Sequence, residues 1–311
     1  MTYKYLFGPV PSRRLGMSLG IDLIPYKVCN CNCIYCESGK TTKQTNTRKA
    51  YYPESEIKEE LNRFLSSNPP LDYLTFSGAG EPTLHKDLGD MISFLKTNYP
   101  GYKIALITNS LLMTDADVRR EIREVDVILP SLDAISEEAF QKINRPLRNS
   151  KAIEIAEALA DFRKEYSGQI WMEVFLLPGI NDHPQELRLL KEALLKIKPD
   201  KVQLNTLDRP GTEASLKAIP FEIMLGIRDY FLPLPVEIIS RKPHERKETA
   251  FNEETEEVII KLIRRRPCTM DDLLLLTSLP RERLEIMLKK MLIARKVITE
   301  VQGGVTFYLS A

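Results

Sequence analysis

Four of the five cysteines in this chain stand together, at Cys29, Cys31, Cys33 and Cys36, while Cys268 lies far away. Disulfides that staple an extracellular domain are spread along the chain to close loops, so this crowding points instead to metal ligation in a reducing compartment. The segment Cys29-Asn30-Cys31-Asn32-Cys33-Ile34-Tyr35-Cys36 contains the spacing CxxxCxxC, with an aromatic residue directly before its last cysteine. Three close thiolates on one loop can wrap an iron–sulfur cube and leave one iron open to a ligand from outside the protein. All four cysteines could instead surround zinc, because soft thiolates suit that metal equally well. CxCxC is tighter than the usual CxxC spacing for tetrahedral zinc, which favours an iron–sulfur site on Cys29, Cys33 and Cys36.

Three further segments carry groups suited to holding a ligand. Ser77-Gly78-Ala79-Gly80-Glu81-Pro82-Thr83 directly follows a predicted strand. Its glycines allow close approach of main chain to a ligand, and Glu81 can offset an ammonium charge; without a ligand it would be an ordinary Gly-Pro turn. Thr108-Asn109-Ser110 and Ser131-Leu132-Asp133 each end a predicted strand, where parallel βα folds place their sites. Asn and Ser in such places also serve simply as helix caps.

The elements that must position these groups alternate along the chain. Strands are predicted at Ser18 to Ile24, Tyr73 to Ser77, Lys103 to Thr108, Val125 to Ser131, Ile170 to Leu177, Lys201 to Thr206 and Val236 to Ser240, with amphipathic helices between them. In the helix predicted from Glu54 to Ser66, Ile57, Leu61, Phe64 and Leu65 form one apolar stripe. Others are expected near Leu84 to Thr97, Asp115 to Arg123, Ser150 to Glu165, Pro184 to Lys196 and Phe221 to Phe231. This is the pattern of repeated βα units on a parallel sheet. A charged run at residues 241–252 reads as a linker, dividing a barrel of residues 1–240 from a tail of residues 253–311. In the tail, three predicted helices precede a hairpin about Gln302-Gly303-Gly304, the order of a winged-helix domain. The expected fold class is therefore α/β, a partial (β/α)6 TIM-like barrel with a C-terminal winged-helix domain.

The chain has 311 residues, 43% hydrophobic and 28% charged, with a formal net charge of +1. Large-scale disorder is not expected of such a composition, and no overall field recruits nucleic acid or an anionic membrane. No apolar run approaches the roughly 20 residues that span a bilayer, and Met1 to Pro9 lacks the order of a signal peptide, so a cytoplasmic protein with no membrane partner is expected. Arg13, Arg14 and Arg209 lie beside the expected catalytic end of the sheet and are the candidate contacts for an oxyanion on the substrate. The loop with Lys40, Lys43, Arg48 and Lys49 is a weaker candidate, since such runs are usually solvated. Basic and acidic residues nearly balance in the tail, which favours docking of a peptide or protein over reading of a DNA groove.

In their order along the chain, the cysteine spacing, the GAGEP segment and the strand ends resemble the radical S-adenosylmethionine (SAM) superfamily. That resemblance implies a 4Fe–4S cluster on Cys29, Cys33 and Cys36, with its open iron binding the amino and carboxylate groups of SAM. An electron from a partner such as flavodoxin or ferredoxin then yields a 5'-deoxyadenosyl radical that abstracts hydrogen from the substrate. It further implies that Gly78, Gly80, Glu81 and Pro82 receive the SAM amino group, that Thr108, Asn109, Ser131 and Asp133 lie near its ribose and carboxylate, and that Val174 to Asn181 packs on adenine. Gly8-Pro9-Val10-Pro11-Ser12-Arg13-Arg14-Leu15-Gly16, Ser18-Leu19-Gly20-Ile21-Asp22 and Gln203 to Pro210 are similar to a stand-alone prokaryotic group usually placed with the wyosine (tRNA) synthases. Those enzymes carry a second cluster on cysteines before CxxxCxxC, and no cysteine precedes Cys29 here, so wyosine synthesis itself is not implied. Cys31 is then spare, either pointing to solvent beside the cluster or serving as a hydrogen donor to a substrate radical, and the inert reading is favoured because proximity in sequence does not make it face the substrate. A macromolecular substrate, RNA or polypeptide, is expected, with the tail recruiting it and taking no part in SAM cleavage. The rival expectation is a non-catalytic iron–sulfur or zinc regulator with a DNA-binding tail.

Overall fold

The computed structural model describes residues 3–239, 256–277 and 279–311. The predicted linker at 241–252 lies outside the described residues. In chain order the first part comprises β1 (Leu6–Ser12), β2 (Gly16–Ile21), β3 (Val28–Cys29), β4 (Lys43–Gln44), α1 (Glu54–Leu65), β5 (Tyr73–Phe76), α2 (Leu88–Asn98), β6 (Lys103–Thr108), α3 (Ala116–Glu121), β7 (Val127–Pro130), α4 (Glu137–Asn144), α5 (Ala152–Glu165), β8 (Gln169–Phe175), α6 (Pro184–Ile197), β9 (Lys201–Asn205), α7 (Phe221–Tyr230) and β10 (Val236–Ile238). Eight strands form one sheet in the order β1-β2-β5-β6-β7-β8-β9-β10. All neighbours are parallel except β1, which pairs antiparallel with β2 at the sheet edge.

The two-residue period of the strands sorts side chains between the faces of this sheet. Leu74 and Phe76 of β5, Ile104 and Leu106 of β6, Ile170, Met172 and Val174 of β8, and Val202 and Leu204 of β9 join the main core with Ile57, Leu61, Met91, Leu95, Leu159, Phe162, Leu190 and Leu194 from the helices. Alternate positions supply a smaller apolar layer of Ala105, Val127, Leu129 and Trp171, joined by Leu15 from the turn between β1 and β2. Beyond that layer, towards the C-terminal strand ends, the same series of positions turns polar: Asn109, Ser131, Asp133, Glu173 and Asn205. Alternation thus commits one face to packing and frees the other for chemistry.

The strand expectations hold to within a few residues, but β1, the short parallel pair of β3 and β4, and α4 were not anticipated. β1 contains Pro9 and Pro11, which an edge strand tolerates because one side of its backbone has no ladder to donate to, and the register shifts between Phe7 and Val10. α4 begins at Ser136, whose hydroxyl accepts from the Ala139 N–H at 3.4 Å as an N-cap.

The tail consists of α8 (Glu256–Arg265), α9 (Met270–Thr277), α10 (Arg281–Ile293) and the antiparallel pair β11 (Val297–Gln302) and β12 (Val305–Ser310). It has its own core of Ile259, Ile263, Cys268, Leu273, Leu284, Leu288, Met291 and Val297. It also docks on the barrel. Arg209, 4% exposed, donates to Asp272 Oδ2 at 2.7 Å and to the Pro267 carbonyl. Arg265 reaches Asp22 at 3.2 Å, its own carbonyl accepts from Ser38 Oγ at 2.7 Å, and its guanidinium lies 4.3 Å from the centre of the Phe7 ring. Arginines from each side, Arg209 buried and Arg265 half-buried, thus pair with carboxylates on the other. Among the described residues, no helix is long and apolar enough to cross a membrane.

Asp272 has two tasks, since it also accepts from the Thr269 N–H at 2.9 Å while Thr269 Oγ1 accepts from the Asp272 N–H, closing a box at the start of α9. Burial would raise its carboxyl, but the Arg209 hydrogen bond and charge more than reverse this and hold it well below the usual range. A carboxyl depressed in the fold stabilises fully above its unfolded value of about 4, and that stabilisation fades only as pH falls through the lower folded value. Asp272→Asn keeps the shape but leaves the buried Arg209 with the more distant Glu37, at 3.7 Å, as its anion, and should cost about 3 kcal/mol at neutral pH, the low end for breaking a buried pair. The adjacent Asp271 pairs with Arg281 with side chains 86% and 55% exposed, so Asp271→Asn should cost about 1 kcal/mol or less. Denaturant titration of the two variants checks the contrast.

Candidate functional site

The cysteine loop is held on several sides by backbone. Asn32 N–H donates to the Asn144 carbonyl at 3.0 Å, Ile34 N–H to Ile143 at 2.9 Å, and Leu147 N–H to Asn30 at 3.0 Å, which lays the loop along the C-terminal end of α4 and the segment after it. Thr212 Oγ1 donates to the Ile34 carbonyl at 2.7 Å from beyond β9. Tyr35 stacks on Phe175 of β8 with centroids 3.9 Å apart and planes 7° from parallel, and its hydroxyl donates to Asp133 at 2.6 Å. The aromatic residue of the motif therefore ties the loop to the ends of β7 and β8.

The four cysteines separate into two kinds. Cys29 Sγ faces Asn109 Nδ2 at 3.4 Å and the Cys31 N–H at 3.5 Å, Cys33 Sγ faces Asn144 Nδ2 at 3.7 Å, and Cys36 Sγ faces Lys27 Nζ at 3.1 Å. Cys31 instead is 2% exposed and packs in the main core. Its thiol hydrogen-bonds to Cys33 and holds that sulfur below its ordinary range, whereas burial and the nearby Glu81 push Cys29 up. Cys31 thus does not point to solvent, and apart from Cys33 its side chain meets the apolar core. Among the described residues, no three His, Cys, Asp or Glu side chains stand together as ligands of a single metal ion would.

Glu81 is buried, and the protein itself satisfies its carboxylate. Oε1 accepts from Thr83 N–H at 3.1 Å, Thr83 Oγ1 at 2.6 Å and Thr108 Oγ1 at 2.7 Å, and Oε2 from Asn109 N–H at 2.8 Å. Burial lifts the carboxyl above the ordinary range, and these donors draw it part of the way back. Asn109 Nδ2, so anchored, donates to Asn30 Oδ1 at 2.6 Å beside Cys29. A turn of 3-10 helix from Pro82 to Leu84 follows Glu81. The glycines serve close approach, but to the chain's own groups: a Cβ on Gly80 would meet the Val28 carbonyl at 2.3 Å, and one on Gly78, at φ 156°, would meet Asp22 at 2.2 Å.

Asp133, likewise buried, accepts from Tyr35, from Asn144 Nδ2 at 2.6 Å and from the Phe175 N–H at 2.9 Å. Burial raises its carboxyl to about 6 against the pull of Tyr35 and Asn144. Ser131 is half-buried and its N–H donates to the Thr108 carbonyl at 3.0 Å. Of the candidate substrate arginines, Arg13 pairs with Asp208 at 3.0 Å and Arg14 with Glu173, which also accepts from Asn205 at 2.7 Å. Arg209 departs from expectation, because its guanidinium is buried against the tail. Arg48 also turns inward, clasping Glu121 and the Thr83 carbonyl.

Lys27, Asn30, Asn144 and Glu173 went unnoticed in the sequence. Lys27 and Asn30 flank Cys29 and could have been found by asking what surrounds a thiolate. Asn144 and Glu173 arrive from distant segments and carried no local signal.

The family model described as the radical SAM superfamily matches residues 23–190. The UPF0026 protein of Helicobacter pylori strain J99 is 34% identical over 306 residues, covering 97% of this chain and 96% of that one. A protein of Brachyspira hyodysenteriae named GTPase Obg is 37% identical over 308 residues; the match takes in 98% of this chain but 45% of that one, so the chain spans less than half of that relative. Among solved structures, a radical SAM methyltransferase from Sphaerobacter thermophilus superposes with a TM-score of 0.56 at 18% identity, over 71% of this chain and 65% of the other. At that identity the likeness concerns the fold, an α/β architecture built on a large, mostly parallel sheet.

The enclosure of Glu81 is directly testable. Glu81→Gln preserves shape but sets an NH2 against either the threonine donors or the Asn109 N–H, leaving a buried donor unpaired at about 1–3 kcal/mol. The unliganded variant should lose that much stability in denaturant titration. Unchanged stability would mean that the carboxylate faces open space and waits for a ligand.

Proposed function

The chain belongs to the radical SAM superfamily, and from that premise we propose that Cys29, Cys33 and Cys36 hold a 4Fe–4S cluster at which SAM binds. The observation that carries the assignment is the division among the cysteines: three sulfurs face polar donors from separate segments, and the fourth is packed in the core. Sulfurs carrying the charge of thiolate ligands favour such donors, and a buried neutral thiol does not need them. A cube takes each thiolate on a different iron, and so suits sulfurs that do not converge on one point. When bound, the cluster and SAM supply one-electron cleavage of SAM to a 5'-deoxyadenosyl radical that abstracts hydrogen from a substrate.

The chain's own residues hold and enclose that chemistry. Glu81 fixes the loop bearing Asn109, and Asn109 in turn orients Asn30 beside Cys29. Gly78, Gly80 and Pro82 shape the turn on which Glu81 sits, while Thr108 and Ser131 set the strand ends at which SAM would lie. Asp133 locks Tyr35 and Asn144 around Cys33. Arg13 and Arg14, each already matched by a carboxylate on the rim, are positioned to exchange that partner for an anionic group on the substrate.

We further assign the tail as a winged-helix module, in a division at 1–240, 241–252 and 253–311, that docks a macromolecular substrate, RNA or polypeptide. Its contact with Ser38, two residues beyond Cys36, puts the docked module next to the cysteine loop and gives it a part in closing the mouth of the site. Nothing in the comparisons supports the rival regulator.

Anaerobic reconstitution of the full chain should give about four iron and four sulfide per chain, and Cys29→Ala, Cys33→Ala and Cys36→Ala should each lose them while Cys31→Ala retains them. Equal loss in all four variants, measured by iron and sulfide content, would overturn the ligand assignment.

A further inference from the structure

Lys27 precedes Cys29 by two residues and is 2% exposed. Its backbone φ is 58°, a left-handed conformation that a residue with a side chain adopts less readily than glycine. Separate loops hold it there. Its N–H donates to the Ala79 carbonyl at 3.2 Å, and its own carbonyl accepts from the N–H groups of Thr42 at 3.0 Å and Lys43 at 3.2 Å. The residue is thus clamped between the GAGEP loop and the segment that leaves the cysteines, with its head group directed to Cys36 Sγ at 3.1 Å. Among the described residues, no carboxylate forms an ion pair with it. A buried ammonium with no anion is strongly disfavoured, so its position makes physical sense if the compensating negative charge resides on the sulfur side.

Resting on the cluster assignment above, we propose that Lys27 is a positioning residue for that cluster: its ammonium donates to the Cys36 sulfur and offsets the negative charge of the thiolate-bound unit, which makes the cluster easier to reduce. Hydrogen bonds to sulfur, net charge and solvent exposure set the potentials of such clusters, and Lys27 acts through the first two. Cys29 and Cys33 face uncharged donors from Asn109, Asn144 and the backbone, whereas Cys36 faces a full positive charge. Adding an electron to the site is therefore opposed less by the charge already present.

The test uses the anaerobically reconstituted full chain without SAM, so that a role in holding SAM does not enter. Iron and sulfide are counted first, and the fraction reduced is then followed by electron paramagnetic resonance against a series of applied potentials. At the wild-type midpoint, Lys27→Met should show about a tenfold lower ratio of reduced to oxidised cluster, equivalent to about 59 mV for a one-electron couple. Lys27→Arg, which keeps the charge, should stay close to wild type, and Lys27→Gln, which keeps an N–H donor but loses the charge, should fall between Lys27→Arg and Lys27→Met. A wild-type chain that takes up no four-iron cluster overturns the cluster assignment itself. A normal wild-type cluster with equal midpoints in Lys27→Met and wild type overturns the role of Lys27 alone. If Lys27→Met does not retain iron, equal midpoints in Lys27→Gln and Lys27→Arg overturn it in the same way.

Discussion

The arrangement depends on keeping the Glu81 carboxylate out of water. A buried charge must be met by donors, and those that meet it come from its own turn and from the end of β6. The constraint propagates, because the Asn109 N–H bound to Glu81 fixes the residue whose side-chain amide reaches Asn30 and Cys29. Two loops far apart in sequence are thereby held in register around one sulfur. Asp133 does the same on the other side, joining Tyr35 and Asn144 beside Cys33. Both carboxylates serve as internal frames, and both make the surrounding loops stiffer than their glycine-rich or polar composition suggests.

A parallel sheet makes such frames possible. Successive strands end side by side, so residues at equivalent positions along them meet although tens of residues separate them in the chain. The period of two gives the packing face Leu, Ile and Phe, and gives the opposite face a short apolar layer and then the polar strand ends. The tail completes this end of the molecule through charge rather than through a broad apolar seam. Arg209 and Arg265 find their carboxylates across the boundary, in Asp272 and Asp22. That choice makes docking specific in geometry, and sensitive to the loss of either partner.

Much of this was legible in the sequence because it rests on local patterns. Seven strands, the cysteine spacing and the tail's order of three helices and a hairpin all follow from periodicity and turn residues, and the structure differs from them by a few residues at the ends. β1 was not legible, since its prolines speak for a loop until the position at the sheet edge is known. Nor was the use of the polar residues. Glu81 invites the idea of a group offered to a ligand, and only its burial reveals that the protein already saturates it with donors. Arg209 reads as a free oxyanion contact because its partner, Asp272, lies 63 residues away. Lys27 carries no motif at all; its importance comes from a buried head group placed on Cys36.

The proposed cluster on the three-cysteine loop implies reductive cleavage of SAM. The most direct measurement is the formation of 5'-deoxyadenosine when the anaerobically reconstituted chain is reduced in the presence of SAM. 5'-Deoxyadenosine should accumulate with the wild-type chain and with Cys31→Ala, and be absent with Cys33→Ala. A cluster-loaded, reduced protein that leaves SAM intact would contradict the proposal.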